Sequence, residues 1–455
     1  MKRSAILIVV VAVLACAPLA EAASDKLITD VAAQTADSLA FVTCEFDEDS
    51  ATSAVSGPAV CIDKSGLFIS LAFNASMRHA KVKECKIMRP GLESSPLTAE
   101  IVSIDRETGM AFVKCTDASA PKKWLPVVFA NSSDLTVGME VVSVSLMAGD
   151  AARSRYFGRA SISAIRNVPQ PLVYVTGGRL TGVCSPVFTG PGKAIGLVWR
   201  QSPQIVELTF GRQRGMARIR PMQECAFFTP VEEFIHVIRT KGKRQLAWTG
   251  ILGLRPADEE LLSTSKPGIR VSKIMPGGPA DKAGLKELDV IVKVDGKDLP
   301  KTPSPAFTVA ELEWKLNRME VGSKVVFRLA SKKDVEITLT ARPDGPTEVP
   351  RYASRRLGML ARDKSIMDPF ISTNPALKAK GVIVATVGRD SPAVKGDLQR
   401  GDVITSIDAQ PVQNVATMRK LLTNLLADGK EKKIAVMVQR KSESVPLIIK
   451  VPKKQ

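Results

Sequence analysis

Cys184 and Ser185 stand side by side in LTGVCSPVF (180–188), and their side chains are the ones that most invite nucleophilic chemistry. A hydroxyl or thiol becomes a useful nucleophile only when a base takes its proton, and a cysteine only as the thiolate. The chain holds two histidines, His79 and His236. His79 opens a β-prone run and His236 falls on a helical stretch, so neither forms a nucleophile–base motif with Cys184. Metal chemistry is no better served. There is no Cys-x-x-Cys pair, and two histidines are too few for the usual zinc clusters. No metal and no cofactor is expected.

The elements that must position these residues are short β-runs separated by turns. They include LAFVTCEF, GPAVCID, LFISLAF, AKVKECKI, TAEIVSID, MAFVKC, MEVVSVSL, RASISAI, LVYVTG and AIGLVW, all between Leu39 and Trp199. Strands so closely spaced predict an all-β barrel or sandwich rather than an α/β sheet. TPVEEFIHVIRT then reads as a helix with Thr229 as N-cap, Pro230 in the first turn and an apolar stripe of Val231, Phe234, Ile235 and Ile238. KGKRQ follows as a charged linker.

The 455 residues suffice for about three domains. A hydrophobic content of 45% beside 24% charged residues argues against wholesale disorder. The start, MKRSAILIVVVAVLACAPLAEAASD, has the basic, apolar and Ala-x-Ala pattern of an export signal over residues 1–22. Its apolar run is too short to span a membrane comfortably, and no later segment reaches about 18 apolar residues. VLAC also offers Cys16 as a lipid anchor site. The formal charge is +18, and losing Lys2, Arg3 and Glu21 with the leader leaves +17. Apart from Arg212, Arg214, Arg218 and Arg220 the basic residues are scattered, which reads as a solvated surface and not a nucleic-acid site. The six cysteines beyond Cys16 all precede residue 226. An even number in an oxidising compartment predicts at least one disulfide in the N-terminal half, with the pairing open and Cys184 among the candidates.

The second half repeats itself. GIRVSKIMPGGPADKAGLKELDVIVKVDGKDL (268–299) matches GVIVATVGRDSPAVKGDLQRGDVITSIDAQPV (381–412), so that Pro279-Ala280, Asp289 and Asp295 recur as Pro392-Ala393, Asp402 and Asp408. Each copy continues into a helix, TVAELEWKLNRM or NVATMRKLLTNLL, and then two strands. The first copy carries an extra loop around KTPSPAF. Two repeats are too few for a solenoid and read as two separate domains.

These repeats resemble PDZ domains of the bacterial, circularly permuted kind. The second keeps Arg400-Gly401-Asp402-Val403-Ile404, whereas the first has Leu288 where glycine is usual. With them, the N-terminal half resembles the HtrA/Deg serine proteases. SGPAVCIDKSGLFIS, IVSIDRETGMAFVKC, LPVVFANSSDLTVGMEVVSVS and CAFFTPVEEFIHVI follow that family's motifs in order and spacing. The resemblance implies a mainly β architecture: a leader (1–22), a trypsin-like double β-barrel (25–240) and two α+β PDZ-like domains (246–343 and 350–455). It also implies a homo-oligomer.

Carried over by position, the family's histidine falls on Phe73, its aspartate on Gly109 and its serine on Val183. No catalytic residue is therefore expected. An aspartate without its histidine would be an unpaired buried charge, and a joint change to Phe, Gly and Val turns a site into core. Cys184 would need a base that the sequence does not supply. In the family a loop of pattern Φ-Gly-Φ holds a peptide's terminal carboxylate, and the peptide adds as a β-strand. WTGILG (248–253) and RLGML (356–360) occupy that place. The implied peptide-binding residues are Thr249, Gly250, Ile251, Leu312 and Leu316 in the first repeat. In the second they are Leu357, Gly358, Met359, Met418 and Leu422, with Arg355 or Arg356 adding charge. The second repeat is expected to be the better binder of protein C-termini or extended peptides. The rival expectations are an active endopeptidase, serine-type or dependent on Cys184, and a self-assembling structural protein of the envelope.

Overall fold

The computed structural model describes residues 26–453 except 49–50, 74, 80, 92–94, 148–152, 168–169, 200–203, 211–212, 220–225 and 258–266. The expected leader, Cys16, Arg212, Arg220 and Cys225 thus lie outside the described residues.

Six strands close into the first barrel: β1 (Leu39–Glu48), β2 (Ala51–Asp63), β3 (Leu67–Ser70), β4 (Val82–Met88), β5 (Leu97–Ile104) and β6 (Ala111–Cys115), in the order β1-β2-β3-β6-β5-β4. Their alternate residues point inward, so Val42, Cys44, Phe46, Cys61, Phe68 and Ile87 share one buried cluster. Cys44 sits directly opposite Cys85 across the β1–β4 pair, and the two are joined by a disulfide. Cys61, Cys115 and Cys184 are buried free thiols, so Cys184 is corrected from disulfide candidate to core residue.

The second barrel uses β7 (Val128–Phe129), β8 (Glu140–Leu146), β9 (Arg155–Arg166), β10 (Leu172–Thr176), β11 (Pro186–Phe188) and β12 (Lys193–Leu197). A hairpin of β13 (Gln204–Phe210) and β14 (Gln213–Ile219) precedes its last strand, β15 (Ala226–Pro230). The order is β11-β8-β9-β10-β15-β12-β7, closed by the β11–β12 pairing. β15 corrects the expected helix start. Thr229 and Pro230 pair with Leu197 and Gly196, and after a 3₁₀ turn (Val231–Glu233) the helix covers only Ile235–Arg239. Val231 and Phe234 are nonetheless buried, as the apolar stripe requires.

The first repeat comprises β16 (Ala247–Trp248), β17 (Ile251–Pro256), β18 (Ile269–Ile274), β19 (Val290–Val294), β20 (Lys297–Asp298), β21 (Lys324–Leu329), β22 (Asp334–Thr338) and β23 (Thr340–Ala341). The second comprises β24 (Arg351–Ser354), β25 (Met359–Arg362), β26 (Val382–Val387), β27 (Val403–Ile407), β28 (Gln410–Pro411), β29 (Lys432–Arg440) and β30 (Glu443–Val451). Each has one long helix, Pro305–Arg318 or Val415–Leu425. Ser304 caps the first through the Ala306 N–H at 3.3 Å, with Pro305 in its first turn, and Asn414 caps the second through the Thr417 N–H at 2.9 Å. Part of the KTPSPAF insertion thus becomes helix.

The repeated residues do the same work twice. Asp295 accepts from the Val326 N–H and Asp408 from the Ala435 N–H, both at 2.8 Å, tying the turn after β19 to β21 and the turn after β27 to β29. Leu288 takes up φ +73 and Gly401 φ +93, so the glycine-type turn survives in the first repeat despite its leucine.

Candidate functional site

In the barrels, the places expected for the triad are filled or turned. Phe73 is 2% exposed and meets Phe46 edge-on at 6.4 Å. Gly109 adopts φ +71 in a turn held by Asp105, whose carboxylate accepts the N–H groups of Glu107 and Thr108. Val183 packs against the buried core cluster that contains Cys184. The Cys184 thiol donates to the Ile69 carbonyl at 3.5 Å, and burial pushes it up to about 12. A thiol so placed carries almost no thiolate at neutral pH. The Ser185 hydroxyl donates to the Gly182 carbonyl. Neither histidine is a hydrogen-bond partner of Cys184 or Ser185 among the described residues. His79 lies 3.9 Å from Asp344. His236 is pushed down to about 4 by burial and by Arg244 and Arg318.

The two Φ-Gly-Φ loops share one construction. Ala280 donates to the Thr249 carbonyl at 2.7 Å and Ala393 to the Leu357 carbonyl at 2.9 Å. The loop glycines accept in turn from Met275 (2.8 Å) and Gly388 (2.7 Å). Gly250 (φ +83) and Gly358 (φ +68) are required twice over. A Cβ would be strained, and it would stand 2.8 Å from Pro279 Cδ or 2.3 Å from Ser391 Cβ.

The loops differ in whether their donors are spent. In the first repeat the Thr249 hydroxyl accepts the Ile251 N–H at 3.2 Å. Among the described residues no acceptor meets the Gly250 N–H. β16 pairs with β23, so β17 ends its sheet with no strand on its outer edge among the described residues. The helix Pro305–Arg318 lies against β17, with Leu312 and Leu316 turned into the core at 4% and 8% exposure. A cleft of about 540 Å³ lies near this loop, lined among others by Trp248, Gly278, Pro279, Lys282, Thr338 and Ile366. No residue of β17 or of that helix lines it, so it is not the peptide groove.

In the second repeat the Gly358 N–H donates to the Ser354 carbonyl at 2.7 Å, and is not free for a ligand. Arg356, expected to add charge, instead donates to the carbonyls of Leu426 (2.9 Å), Lys430 (3.0 Å) and Pro452 (2.9 Å). Leu357, Met359, Met418 and Leu422 all belong to one buried cluster, and Tyr352 belongs to it too. β24 pairs antiparallel with β25, from Arg351 opposite Arg362 to Ser354 opposite Met359. Sequence reasoning missed this strand. Counted from the loop glycines, Arg355-Arg356 corresponds to Ala247-Trp248, so Arg351–Ser354 has no counterpart among the first repeat's strands. The alternation of RYAS before the loop was the available signal.

Residues 243–312 and 361–451 each match a PDZ domain family model. The periplasmic serine endoprotease DegP of Salmonella typhimurium is 31% identical over 185 residues, covering 40% of this chain and 34% of the relative. A probable periplasmic DegP-like endoprotease of Marinomonas sp. is 28% identical over 203 residues, covering 41% and 39%. One of Brucella suis is 23% identical over 377 residues, covering 79% and 67%. The first two alignments thus span little more than a third of those relatives' length. Among solved structures, an HtrA-type protease AlgW variant with a decapeptide has a TM-score of 0.51 at 16% identity, covering 71% of this chain and 99% of that one.

Proposed function

We propose that this chain, a PDZ-bearing homologue of the DegP and HtrA-type serine proteases, is an exported, proteolytically inert binding protein that takes up protein C-termini or extended peptides. The observation that carries the reading is the first repeat's Gly250 N–H, which has no acceptor among the described residues and sits beside the edge of β17 that no described strand pairs with. A peptide strand laid on that edge would bring its terminal carboxylate to the loop, where a charged acceptor makes a stronger bond than a neutral one. The buried Phe73 and the buried Cys184 thiol support the absence of catalysis. The periplasmic relatives support an envelope location, and no helix among the described residues is long and apolar enough to cross a membrane.

The test is titration of the full chain with an apolar-ended peptide bearing a free carboxylate, beside its C-terminally amidated twin. Binding of the free acid alone is expected. Equal binding of both would remove the carboxylate loop, and binding of neither would remove peptide recognition. In parallel, a fluorophosphonate probe should leave the chain unlabelled and casein should stay intact. Cleavage that disappears in Cys184→Ala would restore the protease reading.

A further inference from the structure

We propose that β24 is a built-in ligand of the second repeat: Arg351–Ser354 fills the groove between β25 and the helix Val415–Leu425, in place of the last residues of a bound peptide. The inference rests on the peptide-binding reading above and adds the regulation and ligand class of its second site.

The pairing direction comes first. β24 runs antiparallel to β25 with Ser354 opposite Met359, so its C-terminal end points at the Φ-Gly-Φ loop. That is the direction an added strand must take to deliver a terminal carboxylate there. At that end the Ser354 carbonyl takes the Gly358 N–H at 2.7 Å. The donor a free carboxylate would need is already satisfied from within. Two residues back, the Tyr352 ring is 2% exposed and shares its cluster with Leu357, Met418 and Leu422, the residues expected to line the pocket. The Arg419 guanidinium lies 5.4 Å from the centre of that ring. The helix packs beside β24. The first repeat has the same loop without this occupant, and there the Gly250 N–H lacks an acceptor among the described residues.

The occupant reports what the groove accepts: an extended segment with an aromatic side chain two residues before a small terminal residue. A free peptide of that pattern competes with a tethered one, so its apparent affinity is scaled down by the fraction of chains whose groove is open. The buried Tyr352 hydroxyl has no hydrogen-bond partner among the described residues, and an unsatisfied group of this kind weakens the closed form.

The experiment uses a photo-crosslinking peptide ending in Arg-Tyr-Ala-Ser with a free carboxylate, added to the full chain, with labelled sites mapped by mass spectrometry. In the wild type the first repeat should be labelled and the second not. Tyr352→Ala removes the occupant's anchor. Ala353→Pro disturbs only the half-buried middle of the edge strand and guards against misfolding of the first variant. Either should allow second-repeat labelling at a peptide concentration lower by about tenfold or more. Wild-type labelling of the second repeat equal to that of both variants would overturn the inference. So would a second repeat that stays unlabelled in both folded variants while the first is labelled. Labelling of neither repeat in any form would sink the underlying peptide-binding reading as well.

Discussion

Arg106 of the first barrel and Glu348 of the segment between the repeats form a double hydrogen bond, Nε and Nη2 to the two carboxylate oxygens, each at 2.9 Å. Both side chains are nearly enclosed, at 11% and 8% exposure. Arg106 Nη1 reaches the Arg342 carbonyl at 2.6 Å, its Nη2 also donates to the Pro343 carbonyl, and Arg342 Nη2 binds Glu348 at 2.6 Å. One arginine beside the expected aspartate position therefore fastens the inter-repeat segment to the barrel. Arg106→Ala should lower stability by about 3–5 kcal/mol, because it leaves Glu348 buried without its main partner. Thermal unfolding together with proteolysis at residues 342–349 reads the loss. A change below about 1 kcal/mol would mean that the pair contributes no more than an exposed one.

The same pair sets a pH dependence. Burial pushes the Glu348 carboxyl up, but Arg106, the Gly345 N–H and Arg342 outweigh it and bring it down to about 2. Its stabilisation is therefore complete above the unfolded glutamate value of about 4.3 and fades as pH falls towards 2. The stability difference between wild type and Glu348→Gln should shrink over that window and stay flat from pH 5 to pH 8. A constant difference down to pH 2.5 would contradict the assignment.

Asp402, 2% exposed, is held by Arg440 through Nε at 2.9 Å and Nη2 at 2.8 Å. In the first repeat Arg328 instead pairs with Asp334, whose side chain is 50% exposed. Arg440→Met should cost about 3–5 kcal/mol by stranding a buried carboxylate. Arg328→Met should cost less than about 1 kcal/mol. Chemical denaturation of the two variants compares them directly, and equal losses would refute the distinction.

Leu288 keeps φ +73 while its side chain is 71% exposed, so it bears the backbone strain and gains little burial. Leu288→Gly should raise stability by about 1 kcal/mol, the reverse of the usual cost of glycine. A loss in melting temperature would show that the leucine makes contacts that outweigh the strain.

Denaturing, non-reducing alkylation should leave Cys44 and Cys85 unmodified, while Cys61, Cys115 and Cys184 react. In the native chain Cys184 should resist iodoacetamide, since its thiol is buried and pushed up to about 12. Fast native labelling of Cys184 would reopen the question of a reactive thiol.

The sequence by itself determined the architecture. The closely spaced β-runs, the duplicated Pro-Ala, Asp and Asp positions and the two Φ-Gly-Φ loops are local patterns, and local hydrogen bonding and alternation realise them wherever they occur. Asp295 and Asp408 make the same bond because each copy spells the same turn. The expected helix start at Thr229 failed because strand pairing with Leu197 outweighed a capping signal that looked sound locally. What only the tertiary structure decided was which loop is free. RYAS is a weakly β-prone tetrapeptide in sequence. It closes the second groove because the chain turns back on itself at Arg355–Gly358, and because Tyr352 lands among Leu357, Met418 and Leu422. Such a contact depends on three-dimensional packing around one residue, and no periodicity in the chain encodes it.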